Sequence, residues 1–341
     1  MIDAAIVVTG ATGFLGGALV RRLAGEGAVV RASGRDRARG EALARETGAS
    51  FEVGDLAHPP DADRIVRGAL AVVHCAALSS PWGPARDFDR ANVRATENVV
   101  HACERFHVSR LVHVSTPAVY FDLRAREGIR ESDPLPARPF NDYARTKLEA
   151  EDVVMRASRR GLATVIVRPR AIYGPGDTTI LPRVVDALER GLFPVIDGGR
   201  ALVDLTYVDD AVEALVSALS SSRAVGGIHH VTSGDPRPIG EVIDALADGL
   251  GLPRPRRHVS SSRALALAAI LESTHRLVAP HREPRVTRYT VGLLARTMTL
   301  DLGQAREALG YVPRVRLEQG LARYLEHVRV QRGQAPPKGT P

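Results

Sequence analysis

The chain has 341 residues, of which 44% are hydrophobic and 25% are charged, values that exclude a disordered or fibrous protein. The net charge of +7 suggests nucleic acid as a partner, but acidic residues are distributed along the whole sequence. The densest basic run, 254–258, has no aromatic residue to stack on a base, so we expect no nucleic-acid binding. No apolar run approaches the ~20 residues of a membrane span, and no secretion signal is recognisable. The two cysteines indicate neither disulfides nor a metal site. We therefore expect a cytoplasmic protein, with peripheral membrane contact left open.

Short β-branched runs alternate with amphipathic stretches in the first half of the chain, which is typical of a parallel sheet covered by helices on both faces. We predict strands at 5–9, 29–33, 50–53, 71–75, 110–115 and 163–168. We predict helices at 14–24, 37–47, 88–107 and 143–160. Most of these strands are apolar almost throughout, as expected when both faces of a sheet are buried. The predicted fold class is therefore α/β, with a doubly wound parallel sheet of the Rossmann type.

The regular alternation ends after residue 168, where Pro, Gly and Asp cluster at 169–177. Later elements are predicted as helices at 181–190, 209–220 and 239–249, a strand at 228–232, and two apolar cap helices at 263–271 and 286–294. We predict a dinucleotide-binding domain at 1–173 with a contribution from 201–232, a smaller substrate lobe at 174–200 and 233–330, and a disordered tail at 331–341. The cap side chains Leu265, Leu267, Ile270 and Leu271 would line an acyl or sterol tunnel, or else form core or a subunit contact.

A glycine-rich turn connects the first predicted strand to the first helix. Gly10 permits a tight turn, Gly13 lets the backbone approach a pyrophosphate, and Gly16 lets the helix pack closely on the strand. The helix N-terminus adds amide donors and a positive dipole end. The predicted cofactor-binding residues of this turn are Gly10, Thr12, Gly13, Phe14, Leu15 and Gly16.

The end of the second strand bears on the choice of cofactor. Sites for NAD usually carry an acidic residue about 20 residues after the glycines, and here Gly34 takes that place and Arg35 follows it. A guanidinium suits a 2′-phosphate, so we favour NADP(H) over NAD(H). The alternative is that Arg35 is merely solvated and Asp36 has the acidic role. After the third strand, Asp55 is placed to meet the adenine amino group.

Tyr143 and Lys147 lie four residues apart near the start of a predicted helix, so they share one face. A neighbouring ammonium lowers the pKa of a phenol from its usual ~10 and makes it a usable general acid or base. Lys147 is one of only two lysines among 46 basic residues, which indicates that arginine is excluded there. The alternative is a pair of surface residues. Ser115 and Thr116 end the fifth strand, and a hydroxyl at either position would point into a ligand crevice.

Together these segments resemble the extended branch of the short-chain dehydrogenase/reductase superfamily, over about residues 4–325. The resemblance rests on 9–16, 55–56, 74–77, 92–93, 115–120, 143–147, 168–169, 173–177 and 207–210. It implies that Tyr143 gives or accepts the proton and that Lys147 binds the nicotinamide ribose and tunes Tyr143. It also implies that Thr116 holds the substrate oxygen and that Asn92 shapes the site. The further cofactor contacts that it implies are at Ser33, Leu56, Ala76, Ala77, Ser115, Pro169 and Ile172.

Two departures from the superfamily's sugar-modifying members count against sugar chemistry. Nucleotide-sugar enzymes commonly carry an arginine that grips a pyrophosphate, where this chain has Val203. Sugar dehydratases follow the catalytic threonine with Asp-Glu, where this chain has Pro117 and Ala118. A phosphate anchor and an acid pair are thus both missing.

Other segments are similar to the 3β-hydroxysteroid dehydrogenase-like branch, and nearest to the bacterial 2-alkyl-3-oxoalkanoate reductases. They are 81–83, 115–117, 168–177, 181–183 and 310–313. This resemblance implies an NAD(P)-dependent oxidoreductase that reduces the ketone, or oxidises the alcohol, of a hydrophobic β-keto or β-hydroxy acid derivative. Candidate substrate residues are Trp82, Arg170 and Tyr173, with simple packing as the alternative for Trp82 and a structural role as that for Arg170.

Three other functions stay open at this point: a sterol-type dehydrogenase, a nucleotide-sugar epimerase, and a non-catalytic dinucleotide sensor. The intact set of Thr116, Tyr143 and Lys147 argues against a sensor, which needs no tuned acid. The resemblance also suggests a homodimer, through the predicted helices at 88–107 and 143–160.

Overall fold

The computed structural model describes residues 5–333. In chain order its strands are β1 (Ala5–Thr9), β2 (Val30–Gly34), β3 (Ser50–Val53), β4 (Ala69–His74), β5 (Arg110–Val114), β6 (Arg126–Ile129), β7 (Thr164–Pro169), β8 (Ile172–Tyr173), β9 (Val195–Ile196), β10 (Leu202–Val203), β11 (Thr206–Tyr207), β12 (Ile228–Val231), β13 (Arg237–Pro238), β14 (His258–Val259) and β15 (Met298–Leu300).

The α-helices are α1 (Phe14–Gly25), α2 (Arg37–Thr47), α3 (Pro59–Val66), α4 (Ala85–Phe88), α5 (Ala95–Arg105), α6 (Asp142–Arg159), α7 (Leu181–Glu189), α8 (Val208–Ser220), α9 (Ile239–Leu250), α10 (Ser261–Val278), α11 (Arg288–Ala295), α12 (Gly303–Leu309) and α13 (Leu317–Gln331). A π-helical segment, Asp89–Arg94, joins α4 to α5, and a 3₁₀ turn, Pro117–Tyr120, follows β5.

The main sheet has seven parallel strands in the order β12-β7-β5-β4-β1-β2-β3. Its strands are buried because helices cover both faces, which confirms the predicted doubly wound α/β fold. The chain leaves β1 for β2 on one side and reaches β4 on the other, so the strand order reverses between β1 and β4. Ligands of such sheets bind in the crevice beyond the carboxyl ends of the strands at that point. Here this edge follows Thr9 and His74, which are paired in register.

A second, four-stranded sheet in the order β13-β10-β15-β6 lies outside the main sheet. It joins the segment after β5 to the C-terminal part of the chain, since Leu300 of β15 pairs with Ile129 of β6.

Two aspartates of the resemblance motifs hold backbone segments in the second half of the chain. Asp177 accepts the backbone N–H groups of Thr179 at 2.7 Å and Leu181 at 2.8 Å, at the start of α7. Asp210 of α8 accepts the N–H of Arg314 at 2.9 Å.

Several predicted elements differ from the structure. The single helix predicted at 88–107 begins at Ala85 and contains the π-helical segment. The cap helix predicted at 263–271 extends over Ser261–Val278. Of the predicted tail 331–341, Gln331 ends α13, and 334–341 lie outside the described residues.

Candidate active site

The glycine turn after β1 brings two backbone segments into close contact. Gly10 has φ +66°, and a Cβ there would lie 2.7 Å from the Cα and N atoms of Ala76, which follows β4. At Gly16 a Cβ would lie 2.4 Å from the carbonyl oxygen of Gly10, which is why α1 can begin directly on the turn. Gly13 occupies the N-cap of α1, whose first amides therefore face the crevice. The turn has the shape and donors of a pyrophosphate site.

The end of β2 supplies the other wall of this turn. The Thr12 side chain packs against Gly34, and the Ser33 hydroxyl is buried without a hydrogen-bond partner among the described residues. Arg35 is exposed, while the Asp36 carboxylate accepts the backbone N–H of Arg39 at 3.0 Å and caps α2. The Asp36 carboxylate therefore already serves as a helix cap, and a hydrogen bond to the ribose, its alternative predicted role, would compete with that bond.

The strands on either side carry the remaining predicted cofactor residues. Asp55, after β3, forms an ion pair with Arg90 of the π-helical segment, so the side chain predicted to face the adenine already has a cationic partner. Leu56 is buried in the core beside α3 and α5. Ala76 donates its backbone N–H to the Thr9 hydroxyl at 3.3 Å, and Ala77 follows it at the crevice.

Two hydroxyls end β5. Ser115 is buried, and its Oγ has no hydrogen-bond partner in the described part of the chain. The Thr116 hydroxyl accepts the backbone N–H of Ala118 at 3.1 Å, which leaves its own proton to be donated, and the phenol of Tyr143 is the group that it faces. The unpartnered hydroxyls of Ser33 and Ser115, together with the turn at Gly10, fit a dinucleotide that would supply the missing partners.

Tyr143 lies in the first turn of α6. The side chain of Asn141 caps this helix by accepting the N–H of Ala144 at 2.9 Å. Burial raises the pKa of Tyr143, and hydrogen bonds from the side chains of Ser79 and Thr116 lower it by less. The sequence predicts a lowered pKa at this phenol, and the structure differs because burial outweighs these contacts. A phenol with a raised pKa is protonated at neutral pH, as a proton donor must be.

Lys147 lies one turn further along α6 and is buried. Its Nζ donates to the carbonyl oxygen of Val114 at 2.6 Å and to Nε2 of His113 at 3.2 Å. An ammonium has three N–H groups, so two are held by fixed acceptors of β5 and one remains for a further partner. Burial lowers the pKa of Lys147 to about 8, against the opposing charges of Glu151 and Cys75.

A chain of hydrogen bonds runs from the π-helical segment to the glycine turn. The Thr96 hydroxyl donates to the carbonyl oxygen of Asn92 at 2.6 Å, so it accepts from Nε2 of His74 at 3.1 Å. His74 Nδ1 then accepts from the Thr9 hydroxyl at 2.8 Å. Burial lowers the pKa of His74 to about 3, so this histidine is neutral and its tautomer is fixed. Asn92 itself accepts the N–H of Leu78 at 2.7 Å and so holds the loop after β4.

Arg170, after β7, is a buried arginine without the hydrogen bonds that a structural role would require. Its Nε has no hydrogen-bond partner within residues 5–333. Burial lowers its pKa, and the charges that act against this are those of Tyr289 and Asp204. Tyr289 of α11 is partly buried near both residues: the charge of Tyr143 raises its pKa, and the charge of Arg170 lowers it. Tyr143 and Arg170 therefore both lie within electrostatic range of Tyr289.

Comparison with known proteins decides the family. Residues 6–232 match the model of the NAD dependent epimerase/dehydratase family. The chain belongs to that family.

Two curated relatives and one solved structure define its place in the family. A 4-hydroxy-2-methyl-3-oxo-4-farnesyl-3,4-dihydroquinoline-1-oxide ketoreductase of Stigmatella aurantiaca is 36% identical, over 92% of this chain and 93% of its own. A 2-alkyl-3-oxoalkanoate reductase of Stenotrophomonas maltophilia is 35% identical, over 93% of this chain and 97% of its own. The structure of MoeE5 with UDP-glucose and NAD superposes with a TM-score of 0.75 at 28% identity, over 96% of this chain and 99% of its own. This member of the epimerase/dehydratase family is an NAD(P)-dependent oxidoreductase, and the predicted resemblance to the oxoalkanoate reductases is confirmed.

Some family motifs serve the fold of this epimerase/dehydratase member. Tyr173 is buried, its hydroxyl lies 3.5 Å from the carbonyl oxygen of Leu317, and its ring packs on Tyr207. Its predicted contact with substrate has no support in this position, because the hydroxyl is directed into the core. Arg168 forms a buried ion pair with Glu151 at 2.5 Å and contacts Tyr120. Pro169 ends β7, and Ile172 begins β8 at the edge of the core.

The loop after β4 links the site to the C-terminal part of the chain. The Trp82 indole N–H donates to the carbonyl oxygen of Pro280 at 3.0 Å, and the Arg276 guanidinium lies 5.7 Å from the indole ring. Trp82 is thus packed between the loop and the end of α10. Ser79 in the same loop reaches Tyr143. The roles of Ser79, His113 and Tyr289 cannot be predicted from the sequence, since none belongs to a motif of its own and each reaches the site only in the folded chain.

We expect His113 to set the pH range in which Lys147 is charged. His113→Phe removes one acceptor of the ammonium, so the pKa of Lys147 falls further and activity that needs the ammonium is lost at lower pH. A hydrogen bond to a charged group of ordinary strength corresponds to a shift of about one pH unit. The measurement is the alkaline limb of the pH profile of kcat, which we expect near pH 8 in the native enzyme.

His113→Gln is the matched control, because its amide oxygen can accept from the ammonium. We expect its alkaline limb to lie between those of the native protein and His113→Phe. Glu151, Cys75 and His74 also face this region and are unchanged in both variants. Identical limbs in all three proteins would show that His113 does not act on Lys147.

Proposed function

We propose that the protein is a reductase that acts on the ketone of a hydrophobic 2-alkyl-3-oxo acid, with NADP(H) as the preferred cofactor. The observation that supports it most is the buried guanidinium of Arg170, whose Nε has no hydrogen-bond partner within residues 5–333 and whose charge, like that of Tyr143, acts on Tyr289. A buried cation with an unpartnered Nε is costly unless a ligand completes it, and the nearby charge of Asp204 does not outweigh the effect of burial on Arg170. A carboxylate two bonds from the reacting ketone would do so, since Arg binds carboxylates with two parallel hydrogen bonds.

The glycine turn at Gly10 and the hydroxyls of Ser33 and Ser115 would hold the nicotinamide cofactor, which would supply the hydride for the ketone carbon. Tyr143, protonated because burial raises its pKa, gives its phenolic proton to the ketone oxygen. Thr116, whose hydroxyl is hydrogen-bonded to Tyr143 in the absence of substrate, would donate its proton to the same oxygen and fix its position. Lys147 keeps one N–H beyond its bonds to Val114 and His113, which would bind the nicotinamide ribose, and its positive charge, one helical turn from Tyr143, would stabilise the phenolate that forms. The product is the 3-hydroxy acid, and the proton that Tyr143 gives is restored from solvent.

The surroundings of the reacting group favour an apolar substrate. Phe121, Phe140 and Tyr289 form an aromatic cluster, with ring centroids 4.8 Å apart for Phe121 and Phe140 and 5.1 Å apart for Phe121 and Tyr289. Tyr289 belongs to α11, at the boundary of this cluster and the site. Phe121 is buried in this cluster, and an alkyl chain next to the ketone would contact its partly buried members, Phe140 and Tyr289. The relative from Stenotrophomonas maltophilia carries a name that specifies this class of substrate.

The direct test follows the absorbance of reduced nicotinamide with a long-chain 2-alkyl-3-oxo acid, with NADPH and NADH in parallel. Consumption of NADPH supports both parts of the proposal, and consumption of NADH alone keeps the reaction and overturns the cofactor preference. No consumption with either, alongside tight cofactor binding, overturns the reductase proposal in favour of another substrate or of a sensor. NAD retained through purification and release of an epimerised nucleotide sugar would instead support an epimerase.

Arg35 is the residue on which the preference for NADPH depends. Arg35 is exposed after β2, with no ion-pair partner among residues 5–333, so it is available for a 2′-phosphate. We expect Arg35→Ser to lower kcat/KM for NADPH by about 10- to 100-fold, the range of a lost charge-assisted pair, with little change for NADH.

Arg37→Ser is the matched control for Arg35→Ser. Arg37 is also an exposed arginine, but it pairs with Glu41 at 3.3 Å along α2. We expect it to leave the ratio of the two kcat/KM values unchanged. An equal effect of both substitutions would indicate a general electrostatic attraction instead of recognition of the 2′-phosphate.

A further inference from the structure

One face of α10 is apolar and exposed to solvent. Positions three, four and seven residues apart share a helical face, and here that face carries Leu267, Ile270, Thr274, Leu277 and Val278; we call it the outer face of α10. The exposed fraction is 86% for Leu277 and 82% for Val278, the largest among the exposed aliphatic side chains of the described residues. The opposite face is buried through Ala264 and Ala268. Covering aliphatic side chains so exposed removes apolar surface from water, which favours association with a partner.

The surface around the outer face is positively charged. The sequence from Arg254 to Arg288 contains eight arginines and two glutamates. Both glutamates are neutralised, since Glu272 pairs with Arg288 at 2.8 Å and Glu283 pairs with Arg183 at 2.8 Å. The remaining arginines of this segment include the exposed Arg263, Arg276, Arg282 and Arg285. An apolar helix face bordered by arginines matches the surface of an anionic lipid bilayer, with acyl chains below and negative headgroups beside them.

The outer face is also connected to the active site. Pro280 lies two residues after its C-terminal end, and the Pro280 carbonyl oxygen accepts the Trp82 indole N–H at 3.0 Å. Trp82 lies in the loop that carries Ser79 to Tyr143 and that Asn92 holds at Leu78. A hydrophobic substrate dissolved in a bilayer would therefore meet the protein next to a loop of the site.

We propose that the outer face of α10 docks the protein on an anionic lipid membrane, with Leu277 and Val278 inserted among the lipids. No helix within residues 5–333 is long and apolar enough to cross a membrane, so the contact is peripheral. A second copy of the chain fits this face less well. A symmetric contact would place two arginine-rich surfaces against each other, and four aliphatic side chains on about 16 Å of helix offer far less than the ~800 Å² per partner of a stable interface.

The test is flotation of the full-length protein with vesicles, and it needs no substrate. Vesicles of phosphatidylcholine with one third phosphatidylglycerol are compared with vesicles of phosphatidylcholine alone, at low and at high salt. We expect binding to the anionic vesicles only, weakened by salt. The double variant Leu277→Asp Val278→Asp is expected to bind at least tenfold less, with an unchanged melting temperature because both side chains are exposed.

The control is Val312→Asp Val330→Asp, which adds the same charge at two valines exposed to 66% and 69% outside α10. We expect it to bind as the native protein does. Three results would overturn the proposal: no binding to anionic vesicles at low salt, equal binding by the α10 variant, or equal loss in the control. Concentration-dependent dimers that only the α10 variant abolishes would assign the face to a second copy of the chain.

Discussion

Tyr143→Phe is expected to lower kcat for reduction of a 2-alkyl-3-oxo acid by about a thousandfold, within the range attributed to general acid catalysis. The substitution removes one oxygen, and with it the proton that the ketone oxygen receives. Thr116 can still hold that oxygen, but an aliphatic hydroxyl has a far higher pKa than a phenol and is a much weaker proton donor. The measurement is the initial rate of NADPH consumption.

The variant also separates chemistry from binding. Because Lys147 is held by Val114 and His113 and not by the phenol, its position does not depend on Tyr143, so cofactor affinity should stay within a fewfold of the native value. Ser79 and Thr116 lose a hydrogen-bond partner, which makes a melting temperature a necessary control. Full activity in a folded Tyr143→Phe protein would remove Tyr143 from the mechanism, and lost cofactor binding would show that its main role is structural.

The sequence was sufficient to predict those elements and turns whose role in the fold is written in a local residue pattern. Alternation of apolar strands and amphipathic helices predicts the main sheet, because that sheet is buried on both faces. The turn at Gly10 can be recognised because only glycine fits both its positive φ and its distance from Ala76. The spacing of Tyr143 and Lys147 follows from one helical turn.

The sequence was insufficient where local signals mislead or are absent. Helix α3 escapes prediction because Pro59 and Pro60 resemble a break, although proline is well tolerated in the first turn of a helix. Tyr173 belongs to a family motif but serves the core, so motif membership alone does not distinguish chemistry from architecture. Tyr289 reaches the site from α11, more than 140 residues after Tyr143 in the sequence, and no local pattern records such a contact.

Arg170→Met should raise KM for a free 2-alkyl-3-oxo acid by about 10- to 150-fold, the equivalent of one or two charge-assisted hydrogen bonds. The corresponding methyl ester carries no charge and should be reduced about equally well by both proteins. The comparison of acid and ester therefore reports on recognition of the carboxylate, and general damage to the site would affect both substrates alike. Equal losses for acid and ester would contradict the role proposed for Arg170.

Stability gives a second, independent measure of the same role, because the chain offers a matched pair of arginines. Arg168 lies two residues before Arg170, is also buried, and is fully engaged by Glu151 at 2.5 Å. Removing one partner of such a pair leaves a buried charge uncompensated, so Arg168→Met should destabilise the fold by about 3–5 kcal/mol. Arg170 has an unpartnered Nε and a pKa lowered by burial, so its charge opposes folding. Arg170→Met should therefore melt at the native temperature or above it, as expected of a residue kept for a ligand and not for the fold.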